Sequence, residues 1–196
     1  MRYRAQVTPW DAGTVPALLR SHVAAHRPRG RVLVPGCGSG HDVRFLAQSG
    51  LAVEGIDFSA AALAAALPVL GAFADRVRQA DFFGPELEGP FELVYERAFF
   101  CSLPHRLREA WAARVAALAA PGGLLAGFFY FGEGARGPPY PLQGQEELDA
   151  LLAGAFERIA DVAVDDSIAV FAGKERWQAW RRRPPALTRD RRAAGR

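Results

Sequence analysis

Two carboxylates and a glycine-rich turn stand where they could hold a nucleoside. The stretch Val32-Leu33-Val34-Pro35-Gly36-Cys37-Gly38-Ser39-Gly40 is followed by Gly55-Ile56-Asp57-Phe58-Ser59 and then by Asp81-Phe82-Phe83. Asp57 stands 21 positions after Gly36, and about 20 is expected of a carboxylate that binds ribose hydroxyls one strand beyond a glycine turn. Glycines at 36, 38 and 40 leave backbone open to a ligand that a Cβ would otherwise hold off. Asp81, followed by two phenyl rings, is suited to accept from an adenine amino group while a ring stacks on the base. The competing reading of Asp81 is a solvated strand end ahead of the turn at Gly84-Pro85.

The glycine spacing is G-x-G-x-G, one residue short of the pattern that seats a dinucleotide pyrophosphate on a helix N-terminus. A phosphate-free nucleoside suits it better. S-Adenosylmethionine requires an acid for its ribose, an acid near its adenine and a glycine turn for its methionine tail. Asp57, Asp81 and the turn at Gly36, Gly38 and Gly40 meet all three. A nicotinamide dinucleotide is the alternative that the same turn leaves open.

A strand–helix–strand unit over 31–35, 41–49 and 51–57 must position these residues. Further strands are expected at 76–81, 91–96 and 124–131, with helices at 104–119 and 145–152 and a last pair of strands near 158–164 and 168–172. Alternating strands and helices mean an α/β fold with a mostly parallel sheet. The last two strands follow each other without a helix, so an antiparallel edge hairpin is expected. In such a sheet the ligand sits beyond the carboxyl ends of the strands. Those ends gather Asp57, Asp81, Phe82, Glu96, Arg97, Phe99, Phe100, Tyr130 and Phe131. Arg97 would supply positive charge to an anionic acceptor, or else pair with Glu96 or Glu92. His105 is either a base or a solvated helix start. His22 and His26, four apart on an expected surface helix, have no third ligand in view, so no metal site is expected.

The 196 residues are half hydrophobic and 23% charged, which fits one globular domain. The expected boundaries are 1–183 for that domain, with an N-terminal lid and helix in 1–30, and 184–196 for a flexible basic tail. The net charge of +3 comes from arginines at 181, 182, 183, 189, 191, 192 and 196. Such a tail gives salt-dependent affinity for nucleic acid, but chain ends commonly carry solvated charge, and nucleic acid is not the expected partner. Two cysteines, Cys37 and Cys101, form no metal or disulfide pattern and point to a reducing cytoplasm. They follow strands expected to be neighbours. The uncharged runs 58–74 and 115–132 are broken by Pro68 and by Pro121-Gly122-Gly123. Both fall short of the ~20 apolar residues of a membrane span, and the N-terminus lacks a signal-peptide pattern.

These segments, with Thr8-Pro9-Trp10-Asp11-Ala12-Gly13, Phe99-Phe100-Cys101, Trp111-Ala112-x-Arg114 and Gly137-Pro138-Pro139-Tyr140, resemble the thiopurine S-methyltransferase superfamily. Within it they are most similar to the halide and thiol methyltransferases, roughly from Tyr3 to Trp180. The resemblance implies a Rossmann-like class I S-adenosylmethionine-dependent methyltransferase fold. It implies methyl transfer to a small soft nucleophile (thiol, thiopurine, halide or chalcogen), with another small O or N acceptor, or RNA, as alternatives. Tyr3 and Trp10 would close over the cofactor, although Trp10 also reads as a hydrophobic staple on the first helix. Asp57 with Phe58 would take the ribose side and Asp81-Phe82 the adenine. Arg97 would touch cofactor and acceptor, and Phe100, Tyr130 and Tyr140 would border the acceptor. No catalytic base is expected, because a thiol of pKa about 8.5 is already partly ionised at neutral pH and alignment supplies much of the rate.

Overall fold

In the computed structural model, residue 11 and residues 13–134 and 136–184 are described. The elements, in order, are α1 (Ala17–His26), β1 (Arg31–Pro35), α2 (His41–Gln48), β2 (Ala52–Asp57), α3 (Ala60–Leu70), β3 (Val77–Gln79) and β4 (Phe91–Arg97). There follow α4 (Arg108–Leu118), β5 (Ala119–Tyr130), α5 (Gln145–Leu152), β6 (Phe156–Ala163) and β7 (Glu175–Arg182). Seven strands form one sheet in the order β3-β2-β1-β4-β5-β7-β6. The first five are parallel, and β7 is antiparallel to both β5 and β6. The expected α/β class, parallel centre and antiparallel edge pair are all present.

Side chains alternate across each strand, and the alternation divides the core in two. Leu33, Val94, Leu125, Phe129 and Trp180 pack with Trp111 and Val115 of α4 and Leu148 and Leu152 of α5. Val32, Val34, Tyr95, Phe128 and Trp177 face the other way, with Leu19 of α1, Val43 and Leu46 of α2, and Leu70 of α3. The sheet is therefore covered on both faces, which is why its central strands read as continuous apolar runs.

Three expectations are corrected. The run 168–172 is not a strand. It is a turn segment closed by bonds from Phe171 N–H to Ile168 C=O and from Lys174 N–H to Phe171 C=O, 2.9 Å each. The last strand among the described residues is β7, where Trp177 and Trp180 are buried on opposite faces and flanking arginines shorten the apolar run. Pro121-Gly122-Gly123 is a register irregularity inside β5, where pairing jumps from Phe91↔Ala119 to Leu93↔Leu124. Lastly, His22 is not solvated. It lies buried under Trp177, with ring centroids 5.3 Å apart, and burial followed by the neighbouring His26 lowers its pKa to about 4.

Candidate active site

The glycine turn leaves β1 with positive φ at Gly36 (61°), Gly38 (54°) and Gly40 (78°), a conformation costly to any residue with a Cβ. The close approaches differ. A Cβ on Gly36 would stand 2.6 Å from the Phe99 ring, whereas one on Gly40 would meet Ala66 and Leu70 of α3 at 3.2 Å. Gly40 thus serves helix packing behind the turn and does not line the cavity. Asp57 ties the turn to the end of β2: Oδ2 accepts from Gly38 N–H at 3.1 Å and Oδ1 from Ser59 N–H at 2.8 Å. Its carboxylate is 8% exposed. Burial raises its pKa, and the two amide donors pull against that rise. Each oxygen keeps a free lone pair.

Beyond the carboxyl ends of β1 to β4 lies a cavity of about 650 Å³, within the size range of small-molecule sites. Gly36, Gly38, Asp57, Phe58, Asp81, Phe82 and Arg97 all line it. Phe58 is 78% exposed, an apolar ring at the rim. Phe82 is buried between Phe83 and Phe99, at centroid distances of 5.2 and 5.1 Å. Phe99, Leu103, Pro138, Pro139 and Phe171 add apolar surface to the lining.

Phe100, Tyr130 and Tyr140 are not brought to the cavity. Phe100 turns into the core against Trp111 at 4.4 Å and Phe129 at 6.3 Å. The Tyr130 ring packs on Phe171 at 5.2 Å. Tyr140 packs edge-on against His105 at 5.5 Å and donates its amide to Cys101 C=O at 2.6 Å. In each case a neighbouring ring or backbone group claims the side chain or its amide. His105 is likewise outside the lining. Tyr3 and Trp10 lie outside the described residues.

Arg97 pairs with neither Glu96 nor Glu92. Its Nη1 donates to Asp42 Oδ2 at 3.1 Å, Asp42 Oδ1 at 3.3 Å and Thr14 C=O at 3.3 Å. Glu92 instead accepts the amides of Arg29 and Gly30. Glu96, fully buried, accepts from Phe99 N–H at 2.9 Å and Phe100 N–H at 2.8 Å. Burial pushes its pKa up to about 8, against those two bonds. Sequence reasoning missed Asp42 in the first turn of α2, which lines the cavity. An acid two residues past Gly40 was the available signal. It also disfavours a pyrophosphate, which would meet a carboxylate where a helix N-terminus should offer positive charge. Cys37 and Cys101 are free thiols on the cavity wall. Burial, followed by the charge of Asp57, pushes Cys37 up to about 12, and burial, followed by Glu96, raises Cys101.

The sequence profile described as thiopurine S-methyltransferase (TPMT) matches residues 1–183. The chain belongs to the thiopurine S-methyltransferase family. Over 188 residues it is 32% identical to the probable thiol methyltransferase 2 of Arabidopsis thaliana, covering 92% of this chain and 82% of that one. Over 151 residues it is 32% identical to the thiopurine S-methyltransferase of Vibrio parahaemolyticus serotype O3:K6 (strain RIMD 2210633), covering 68% and 69%. A Burkholderia thailandensis 1,6-didemethyltoxoflavin-N1-methyltransferase, solved with its substrate and S-adenosylhomocysteine, superposes with a TM-score of 0.76 at 18% identity, over 93% of this chain and 84% of that one. That likeness is one of fold. This thiopurine S-methyltransferase family member is an S-adenosylmethionine-dependent methyltransferase. The cavity fits the cofactor on its own terms: backbone of Gly36 and Gly38 on its wall, a carboxylate with lone pairs to spare, and space bordered by phenyl rings.

Proposed function

We propose that this enzyme methylates a small thiol or related soft nucleophile. The observation that carries the reading is the make-up of the cavity lining, which joins glycine backbone and the carboxylates of Asp57 and Asp81 to the apolar surface of Phe99, Leu103, Pro138 and Pro139 and to the guanidinium of Arg97. Asp57 accepts the ribose hydroxyls, Asp81 faces the adenine amino group, and Phe58 and Phe82 offer apolar surface to the base. When bound, S-adenosylmethionine supplies an electrophilic methyl group on a sulfonium. Phe99, Leu103, Pro138 and Pro139 exclude water from the acceptor space, so a soft anion is stripped of hydration that it would shed on reacting. Arg97 draws such an anion in. The thiols of Cys37 and Cys101 stay protonated at neutral pH and do not compete as acceptors.

The acceptor is a small molecule. Arg182 and Arg183, counted above among the C-terminal arginines, donate to backbone carbonyls of Ala116, Ala155 and Phe156 and so serve the fold. Among the described residues no helix is long and apolar enough to cross a membrane; a cytoplasmic site of action is proposed, supported by the two free thiols. The test supplies S-adenosylmethionine with a panel of thiols, halides and phenols and measures release of S-adenosylhomocysteine. Turnover of thiols or halides well above phenols is expected; a preference for phenols or amines would refute the reading.

A further inference from the structure

Arg97 and Asp42 meet on the cavity wall, with side chains 22% and 12% exposed. Among the described residues a single nitrogen, Nη1, makes the hydrogen bonds of the guanidinium, two to Asp42 and one to Thr14 C=O, and Nε and Nη2 make none. Asp42 is held from behind by the Tyr95 hydroxyl, which donates to Oδ2 at 3.2 Å. The opposite flank of Arg97 borders a void of about 10 Å³ lined by Asp166 and Glu175. Glu175 is engaged by the Ser167 hydroxyl at 2.7 Å, leaving Asp42 as the acid in direct contact with the guanidinium.

An incoming anion therefore meets a dipole and not a bare cation. The attraction of a charge falls as the reciprocal of distance, and an opposite charge in contact with it on the same wall cancels much of that attraction. We propose that Asp42 is a specificity-determining residue: by pairing with Arg97 it limits how strongly the site favours acceptors carrying an extra negative group. The inference rests on the methyl-acceptor reading above and deepens it. Asparagine at 42 keeps an oxygen for Nη1 and removes the charge. Alanine removes both.

The experiment compares kcat/KM for benzenethiol and for its ring carboxylates, at saturating methyl donor so that changes in donor affinity cancel in the ratio. For Asp42→Asn the ratio of the best carboxylate to the parent thiol should rise about tenfold, the scale of one uncompensated charge contact. Arg97→Gln should lower the ratio, and adding Asp42→Asn to Arg97→Gln should raise it again, because the Asp42 carboxylate itself lines the cavity and repels the anion with or without its partner. An unchanged or lower ratio on Asp42→Asn in either background overturns the proposal. Should Asp42→Asn not fold, Asp42→Ser, which keeps a hydroxyl oxygen, is read by the same criterion. If the wild-type enzyme turns over no thiol, the acceptor reading itself fails; if it turns thiols over and the ratio stays fixed, only the role of Asp42 fails.

Discussion

On the β1–β2–β3 side of the cavity, the facing groups are a bare glycine turn and acids pinned by backbone amides: Gly38 and Ser59 hold Asp57, and Phe83 N–H holds Asp81 Oδ1 at 3.0 Å. On the β4–β5 side Arg97 is held by another side chain, and the three aromatic rings expected at the acceptor, Phe100, Tyr130 and Tyr140, pack against other groups instead, Phe100 in the core. Backbone-held geometry follows from sequence spacing. Side-chain-held geometry depends on which neighbour wins the contact, and spacing does not decide that.

The sharpest way to break this contrast is Phe100→Ala. If the ring is core and not acceptor wall, the variant should lose about 3–5 kcal/mol of stability in denaturant unfolding. A loss below about 1 kcal/mol, with a raised KM for the acceptor, would return Phe100 to the site. Asp57→Ala should weaken S-adenosylhomocysteine binding by about 1–3 kcal/mol, read by calorimetry; unchanged affinity would remove the anchor of the cofactor side. Glu96 tests the other side through pH. Its pKa is about 8 when folded, against an ordinary 4.5, so the folded state binds the proton more tightly. Its contribution to stability is full below about 4.5 and is lost as pH rises through 8. Glu96→Gln, which keeps an acceptor for Phe99 and Phe100, should flatten the fall in Tm over that window; an unaltered profile would show that Glu96 is ionised throughout. Smaller still, Tyr130→Phe and Tyr140→Phe should change the acceptor KM by less than about twofold, since neither ring lines the cavity. Removing the residues after Pro184 should leave small-molecule turnover intact, and loss of activity would restore a role to the basic tail.

Much of the fold was legible in the sequence. Residues 31–57, with their apolar strands and glycine turn, could be read almost to the residue, because each position had a local reason: burial, a positive φ, or a strand end. The pairing of Arg97 was not legible, since Asp42 lies 55 positions away and becomes its partner only through the β1–β4 pairing. Nor was β7, where Trp177, Gln178, Ala179 and Trp180 are all buried but stand among Arg176, Arg181 and Arg182, so that the stretch reads as polar. Ile168 to Ala172 misled for the opposite reason: an apolar run forms a strand only where an edge is free to receive it, and that place was already taken.

The position of β7 has a consequence for how the molecule is made. It is the last strand among the described residues, yet it sits between two that precede it. Before it arrives, the open flank of β5 has nothing to bond, and β6 has no neighbour at all. Assembly of that half must await the final strand, and during synthesis the nascent chain carries a raw sheet margin of the kind that recruits other chains. A stop codon placed a few residues before Trp177 would thus be expected to yield inclusion bodies, not a slightly shortened enzyme.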